Sequence, residues 1–197
     1  MKLYRILFLT LILSLFSGFA TIETAQATSV VSLSDAQLVD YSDYIVHATI
    51  VRTEAVLYDD NTIITRVTVQ VHGYLKAPDG ASRAEQFEFY TRGGSVGDVQ
   101  QMVPGEYEPA VGTEGIFFLE KIRRFAGLPF VLGLTQGVFA ADKIPVTRTD
   151  RKVSKSFHRN HEFVRTESDF ERAADFYELL DIIKHTVTER TGASNHE

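Results

Sequence analysis

Residues 63–72 read IITRVTVQVH, which is the clearest strand pattern in the sequence. Its alternate residues on one side are apolar or β-branched: Ile63, Thr65, Val67, Val69 and Val71. Those on the other side are polar: Arg66, Thr68, Gln70 and His72. Such alternation is typical of a strand in an antiparallel sheet with one buried face and one face toward water. We therefore expect a mainly β protein, and we interpret the polar row as a solvated face in preference to a binding face.

Shorter strand patterns flank this stretch on both sides. Residues 44–51 are rich in β-branched side chains, and Asp59-Asp60-Asn61 predicts the hairpin turn that follows them. Beyond the Ala77-Pro78-Asp79-Gly80 turn, further strands are predicted at residues 86–91, with Phe87 and Phe89 inward, and at residues 116–119, 130–134 and 138–141. Residues 116–119 are apolar on both faces, as a buried central strand would be. Several short strands separated by turns favour a barrel or a sandwich.

Two helices are predicted at the ends of the folded part. Ser34 and Gln37 form a capping box, Leu33 and Leu38 a hydrophobic staple, and the helix they begin should end near Tyr41. In the C-terminal region, Ser168 and Glu171 form a second capping box. An apolar stripe follows at helical spacing: Phe170, Ala173, Ala174, Tyr177, Leu180, Ile183 and Val187. This stripe predicts an amphipathic helix packed on the sheet, with residues 191–197 frayed.

The N-terminus has the pattern of a secretory signal peptide. Lys2 and Arg5 precede an apolar run, and Ala25-Gln26-Ala27 is a small-x-small cleavage site. A transmembrane anchor usually needs about 20 apolar residues, and the run is diluted by Ser14 and Ser17. We expect removal of residues 1–27, export to the periplasm or the extracellular medium, and no integral membrane association after cleavage. Residues 28–190 are then a single domain of ordinary size.

Composition restricts the partners. The chain has no cysteine, which excludes disulfides and a lipid-modified N-terminal cysteine. Its formal net charge is −6, so it is a poor ligand for phosphate backbones and no nucleic-acid partner is expected. A basic stretch at residues 148–159 is interpreted as a charged connection in preference to a surface for an anionic polymer or membrane.

The order of strands and turns resembles a group of uncharacterised secreted bacterial domains. The resemblance is carried by residues 43–50, 65–71 and 74–76, then Arg92-Gly93-Gly94, then residues 111–119 and Leu134-Thr135-Gln136-Gly137. More distantly, the chain is similar to the netrin-like domain of the tissue inhibitors of metalloproteinases, an OB-type barrel. That resemblance implies an antiparallel OB-like β-barrel here. The family inhibits through an N-terminal cysteine that this chain lacks, so no inhibitory residue carries over.

The glycine-rich segment at residues 92–113 is the preferred binding site. A structureless segment of this length is unusual and often functional. Its first part offers backbone amides that could meet an anion, with five candidate contact residues: Arg92, Gly93, Gly94, Ser95 and Gly97. We expect this segment to bind a secreted or envelope protein, which would make the chain a non-enzymatic binding module, with a protease inhibitor as one form of it.

Catalytic and metal-binding alternatives remain open but are weaker. Gly93 and Gly97 give Ser95 the spacing of a G-x-S-x-G nucleophile, with His158 or His161 as a distal base, but neither the preceding parallel strand nor the following helix is predicted. His158, His161 and Glu162 could hold a metal, although their spacing fits no zinc motif. His47 is interpreted as a core or edge histidine. We therefore assign no catalytic residue, metal or cofactor, and a small exported hydrolase and a purely structural envelope protein are the alternatives.

Overall fold

A computed structural model describes residues 31–59, 61–141, 153–155, 170 and 175–194. The predicted signal peptide, the residues His158, His161 and Glu162, and the predicted cap at Ser168 lie outside the described residues. So does the basic stretch, apart from the backbone of residues 153–155.

The described chain is mainly β, as the sequence predicts. The described residues form nine strands: β1 (Tyr44–Asp59), β2 (Thr62–Lys76), β3 (Gln86–Arg92), β4 (Gly94–Val96), β5 (Val99–Gln101), β6 (Glu114–Ile122), β7 (Leu128–Val131), β8 (Val138–Ala141) and β9 (Val153–Lys155). Two α-helices, α1 (Asp35–Tyr41) and α2 (Phe176–Ser194), lie before and after them, and a short 3-10 helix covers Arg123–Phe125. None of the described helices is long and apolar enough to cross a membrane.

The main sheet is mixed, so the prediction of a purely antiparallel sheet is wrong. Its strands follow the order β1-β2-β3-β7-β6-β8-β9, and β6 also pairs with β1. Five strands thereby pair in a cycle, from β1 through β2, β3, β7 and β6 back to β1. Antiparallel neighbours must alternate in direction, and an odd number of strands in a cycle cannot alternate throughout. The parallel pair is β3 with β7, where Tyr90 lies opposite Phe130.

Strands β1 and β2 are long, with 16 and 15 residues, and β1 continues well past the end predicted at Val51. Their antiparallel register shifts at several points, including one between His47 and Ala48. There the partner on β2 changes from Gly73 to Val71, so His72 is the extra residue of a β-bulge. Such bulges bend a strand and change the direction of a side chain.

The sheet buries three apolar clusters, and the two larger ones lie on opposite faces of β1 and β6. Alternation along β1 places Val46 and Ala48 in one core with Phe117 of β6. Ile45 lies in the other core, where Phe118 of β6 packs with both helices. Strand β6 is therefore buried on both faces, as predicted from residues 116–119.

Both helices are anchored by side-chain contacts. Helix α1 begins after Ser34 with the predicted capping box. In α2, Asp175 Oδ1 accepts hydrogen bonds from the backbone amides of Tyr177 and Glu178. The buried stripe of α2 is Phe176, Leu179, Ile183 and Val187, whereas the predicted Tyr177 and Leu180 are half-buried. The helix continues to Ser194, inside the segment that was predicted to fray.

Candidate functional site

The segment from Arg92 to Thr113 is not structureless, contrary to the sequence prediction. It folds as the hairpin β4–β5 followed by turns. The hairpin begins at Gly93 and Gly94, whose φ angles of 89° and 131° favour glycine. A Cβ atom on Gly93 would lie 2.6 Å from the carbonyl oxygen of Gln101. These glycines let the chain leave β3 and fold back closely on itself.

Hydrogen bonds hold the hairpin against β2. The backbone amide of Ile63 donates to Gln101 Oε1 at 2.6 Å, and that of Gly93 donates to the Ile63 carbonyl oxygen at 2.8 Å. The Thr65 hydroxyl donates to the carbonyl oxygen of Gly93 at 2.8 Å. The hairpin is therefore fixed to the sheet through both main chain and side chains.

An open cleft of about 310 Å³ lies between this hairpin and the sheet. One wall carries the threonines of β1, β2 and β3, at positions 53, 65 and 91. The opposite wall is formed by residues 100–103 and 106–109. Arg92 and Glu106 both line the cleft, and we call it the Arg92–Glu106 cleft.

Glu106 carries the chemistry of this cleft. Its side chain is 4% exposed, and its Oε2 accepts a hydrogen bond from Arg92 Nη1 at 3.0 Å. The second oxygen, Oε1, is buried and has no hydrogen-bond partner among the described residues. Burial raises the pKa of Glu106, and the nearby Arg92 guanidinium opposes that rise. A buried acceptor without a partner costs free energy, so a donor that enters the cleft would be stabilised there.

Neighbouring aromatic rings support this pair. The Arg92 guanidinium lies over the Phe130 ring, 5.5 Å from its centroid. Tyr107 is buried and packs near Phe117, with ring centroids 6.3 Å apart. Burial raises the pKa of Tyr107 to about 12, so its hydroxyl stays protonated near neutral pH. Packing on the Phe130 ring therefore helps to position the Arg92 guanidinium beside Glu106.

Three of the eight exposed large apolar residues in the described part of the chain lie in the same segment. Met102 lines the cleft, Val99 lies on β5 and Val111 lies near the segment's end, and all three are largely exposed. Exposed apolar side chains beside a pocket supply area that a protein partner can bury.

Of the five residues predicted for binding, three line the cleft and two lie outside its lining. Arg92, Gly93 and Gly94 line the cleft. Ser95 is exposed on β4, and Gly97 lies in the turn between β4 and β5. Ser95 is thus the middle residue of the three-residue strand β4, and a hairpin turn follows it where a nucleophile elbow requires a helix.

Sequence reasoning missed Glu106. It stands among turn residues in Pro104-Gly105-Glu106-Tyr107, and nothing in that pattern marks it as buried. Its burial results from the hairpin folding over the sheet, a contact between segments distant in sequence. The sequence carries only a weak signal of a functional residue here, which is an acidic residue beside a tyrosine in a segment with glycine and proline.

A second polar cluster lies on three neighbouring strands. It consists of His47 on β1, His72 on β2 and Glu114 on β6. His47 is half-buried at the margin of the core with α2, in keeping with its interpretation as a core or edge histidine. The sequence did not predict that these three side chains lie close together.

No protein-family model matches the sequence, and no curated protein is similar enough to count as a match.

Proposed function

We propose that the protein is a non-enzymatic binding module whose Arg92–Thr113 segment contacts a secreted or envelope protein. The observation that carries the proposal is the buried, unpartnered Oε1 of Glu106, a residue that lines an open cleft. Exposed apolar residues beside the cleft, such as Met102, supply the contact area that a protein partner would bury.

The chemistry of the cleft favours a lysine or arginine side chain of the partner. Arg92 neutralises Glu106 through one oxygen and leaves the other oxygen as an acceptor. A second cationic donor would form a charge-assisted hydrogen bond there and would offset the desolvation that raises the pKa of Glu106. The apolar stem of such a side chain would pass Met102 and Val103 at the wall.

The size of the cleft agrees with this occupant. Ligand pockets for small molecules and cofactors span about 300–1,000 Å³, so a cleft of about 310 Å³ lies at their lower limit. It fits a single side chain better than a cofactor. The net charge of −6 would also favour the approach of a basic partner.

The cyclic strand pairing supports an OB-type barrel as the scaffold of this module. OB-folds are five-stranded, partly open barrels whose faces and loops bind other molecules. Here five strands pair in a cycle, and the shortest pairing is the single residue pair between β3 and β7. The cleft lies against three strands of this cycle, where β4–β5 leaves β3. A relationship to the netrin-like inhibitors is part of this proposal.

The occupant can be tested with small cations. We expect n-butylguanidinium and n-butylammonium to shift the Glu106 carboxyl carbon and Arg92 guanidinium resonances in a saturable way, whereas n-butanol shifts them far less. The reason is that only the cations add a charge-assisted hydrogen bond to Oε1. Nuclear magnetic resonance titration at about 0.15 M salt checks this, because exposed charges are then screened beyond about 8 Å.

Two variants make this test specific. Glu106→Gln should abolish the saturable shifts at Arg92, since the neutral amide no longer attracts a cation strongly. Glu85→Gln removes the same charge from an exposed position that does not line the cleft and should leave the titration unchanged. Equal shifts in wild type and Glu106→Gln would rule out a cationic occupant at Glu106.

A further inference from the structure

We infer that His47, His72 and Glu114 form a binding site for a divalent first-row transition metal, with Zn²⁺ as the reference ion. Each side chain offers one ligand atom, and the three atoms lie within 4.8 Å of one another. The site shares no residue with the lining of the Arg92–Glu106 cleft and does not depend on the proposed binding function.

The sheet brings these ligands together from distant parts of the sequence. Strands β2, β1 and β6 are neighbours, and each contributes one ligand. Glu114 lies directly across from Thr49, two residues after His47, so Glu114 and His47 are diagonal neighbours on one face. On the other side, His72 is the bulged residue opposite the His47–Ala48 step. The bulge brings the His72 ring to 4.9 Å from the His47 ring, measured between centroids.

The distances suit coordination with small side-chain adjustments. His47 Nε2 lies 3.0 Å from Glu114 Oε1. In tetrahedral zinc sites the bonds are about 2.1 Å long, which places ligand atoms about 3.4 Å apart. This separation lies between the 3.0 Å of the His47–Glu114 pair and the 4.8 Å within which all three ligand atoms lie. His72 is exposed, so its ring can move toward the ion without disturbing the core.

The surroundings resemble those of protein metal sites. The Thr49 hydroxyl oxygen lies 2.8 Å from His72 Nε2, and outer partners of this kind orient the imidazole ligands of metals. Phe176, the first residue of α2, lies against His47 with ring centroids 5.1 Å apart and supplies an apolar wall. The exposed side chain of His72 leaves a path to solvent.

The ligand set indicates the class of ion. Two imidazoles and a carboxylate suit Zn²⁺ and other first-row ions better than Ca²⁺ or Mg²⁺, which prefer oxygen ligands alone. Three protein ligands leave a fourth position of a tetrahedral ion for water or for a donor from another molecule.

The test is Zn²⁺ binding by the protein expressed from its complete sequence and purified without a histidine tag. Isothermal titration should give a saturable site that is weakened at least about 100-fold in His47→Ala, His72→Ala and Glu114→Gln, because loss of an outer partner alone costs 10–100-fold. Cobalt substitution should give an intense visible spectrum typical of four or five ligands. The same spectrum should be weak and octahedral in His72→Ala.

Controls separate this site from the other histidines. His158→Ala/His161→Ala removes the alternative cluster, and His185→Ala removes an exposed histidine of α2. Both variants should keep the saturable site. Because His72 is exposed, His72→Ala is expected to fold, which circular dichroism and thermal melting check. Absence of saturable binding to wild type up to millimolar Zn²⁺, or equal affinity in wild type and His72→Ala, would overturn the assignment.

Discussion

Arg92→Ala is expected to lower the free energy of unfolding by about 3 kcal/mol at neutral pH. The substitution removes the guanidinium that donates to Glu106 Oε2 and leaves a buried carboxylate without its ion-pair partner. It also removes the guanidinium from the face of Phe130. Arg92 is 30% exposed, so water replaces part of its effect and the loss should lie near the lower end of the range for broken buried pairs.

The loss should depend on pH. Burial holds the pKa of Glu106 in the folded protein above its ordinary value, and Arg92 limits this rise. When the pKa of an acid is higher in the folded state than in the unfolded state, the folded state binds its proton more tightly. The resulting stabilisation of the folded protein is complete below the unfolded-state pKa and is lost as pH rises through the folded-state pKa. Without Arg92 the pKa rises further, so the destabilisation should be small at pH 4 and should grow toward neutral pH.

Chemical denaturation across this pH range is the measurement. Arg123→Ala, which removes an exposed arginine, is the matched control and should change stability by less than about 0.5 kcal/mol. The double variant Arg92→Ala/Glu106→Gln should recover most of the loss, because it no longer carries the buried charge. A pH-independent loss, or no recovery in the double variant, would contradict the electrostatic account of the cleft.

Phe176→Ala is expected to destabilise the protein by about 3–5 kcal/mol. Phe176 is fully buried and belongs to the core between α2 and the sheet, which includes Ile45 and Phe118. Truncation would leave a cavity beneath the first turn of the helix. His47 contacts the Phe176 ring on the side of that turn that faces the sheet.

Tyr177→Ala is the matched comparison because it removes the adjacent aromatic side chain. Tyr177 is half-buried, so its loss should cost about 1 kcal/mol, the typical value for a single substitution. Thermal and denaturant unfolding of the two variants therefore tests the register of α2 on the sheet. A larger effect at Tyr177 than at Phe176 would place the predicted stripe, and not the described one, against the core.

Local patterns predicted the elements whose causes are local. Ser34 and Gln37 determine the start of α1 through hydrogen bonds within one turn. Alternation along residues 63–72 correctly placed Ile63, Val67 and Val69 inside. The position of α2 was less predictable, since Phe176, Tyr177, Leu179 and Leu180 are all apolar and only contact with the sheet selects two of them for burial.

Features that depend on distant contacts were not predictable from such patterns. The parallel pair of β3 and β7 follows from the cycle of five strands, which no short stretch encodes. Glu106 is buried by a hairpin that packs on β2, and His47, His72 and Glu114 meet only because three strands are neighbours. The sequence did indicate the segment around Arg92, because its glycines and length are local features.

The most direct test of the proposed contact surface is a comparative capture experiment. Immobilised wild type, Met102→Asp, Glu106→Gln and Tyr41→Asp are exposed to the envelope and culture-medium proteins of the source organism, and retained proteins are quantified by mass spectrometry. Tyr41 is an exposed residue of α1 and serves as the matched control for Met102. We predict a protein retained by wild type and Tyr41→Asp, and lost with Met102→Asp and Glu106→Gln. Identical retention by all four proteins would contradict the assignment of the Arg92–Thr113 segment as the contact surface.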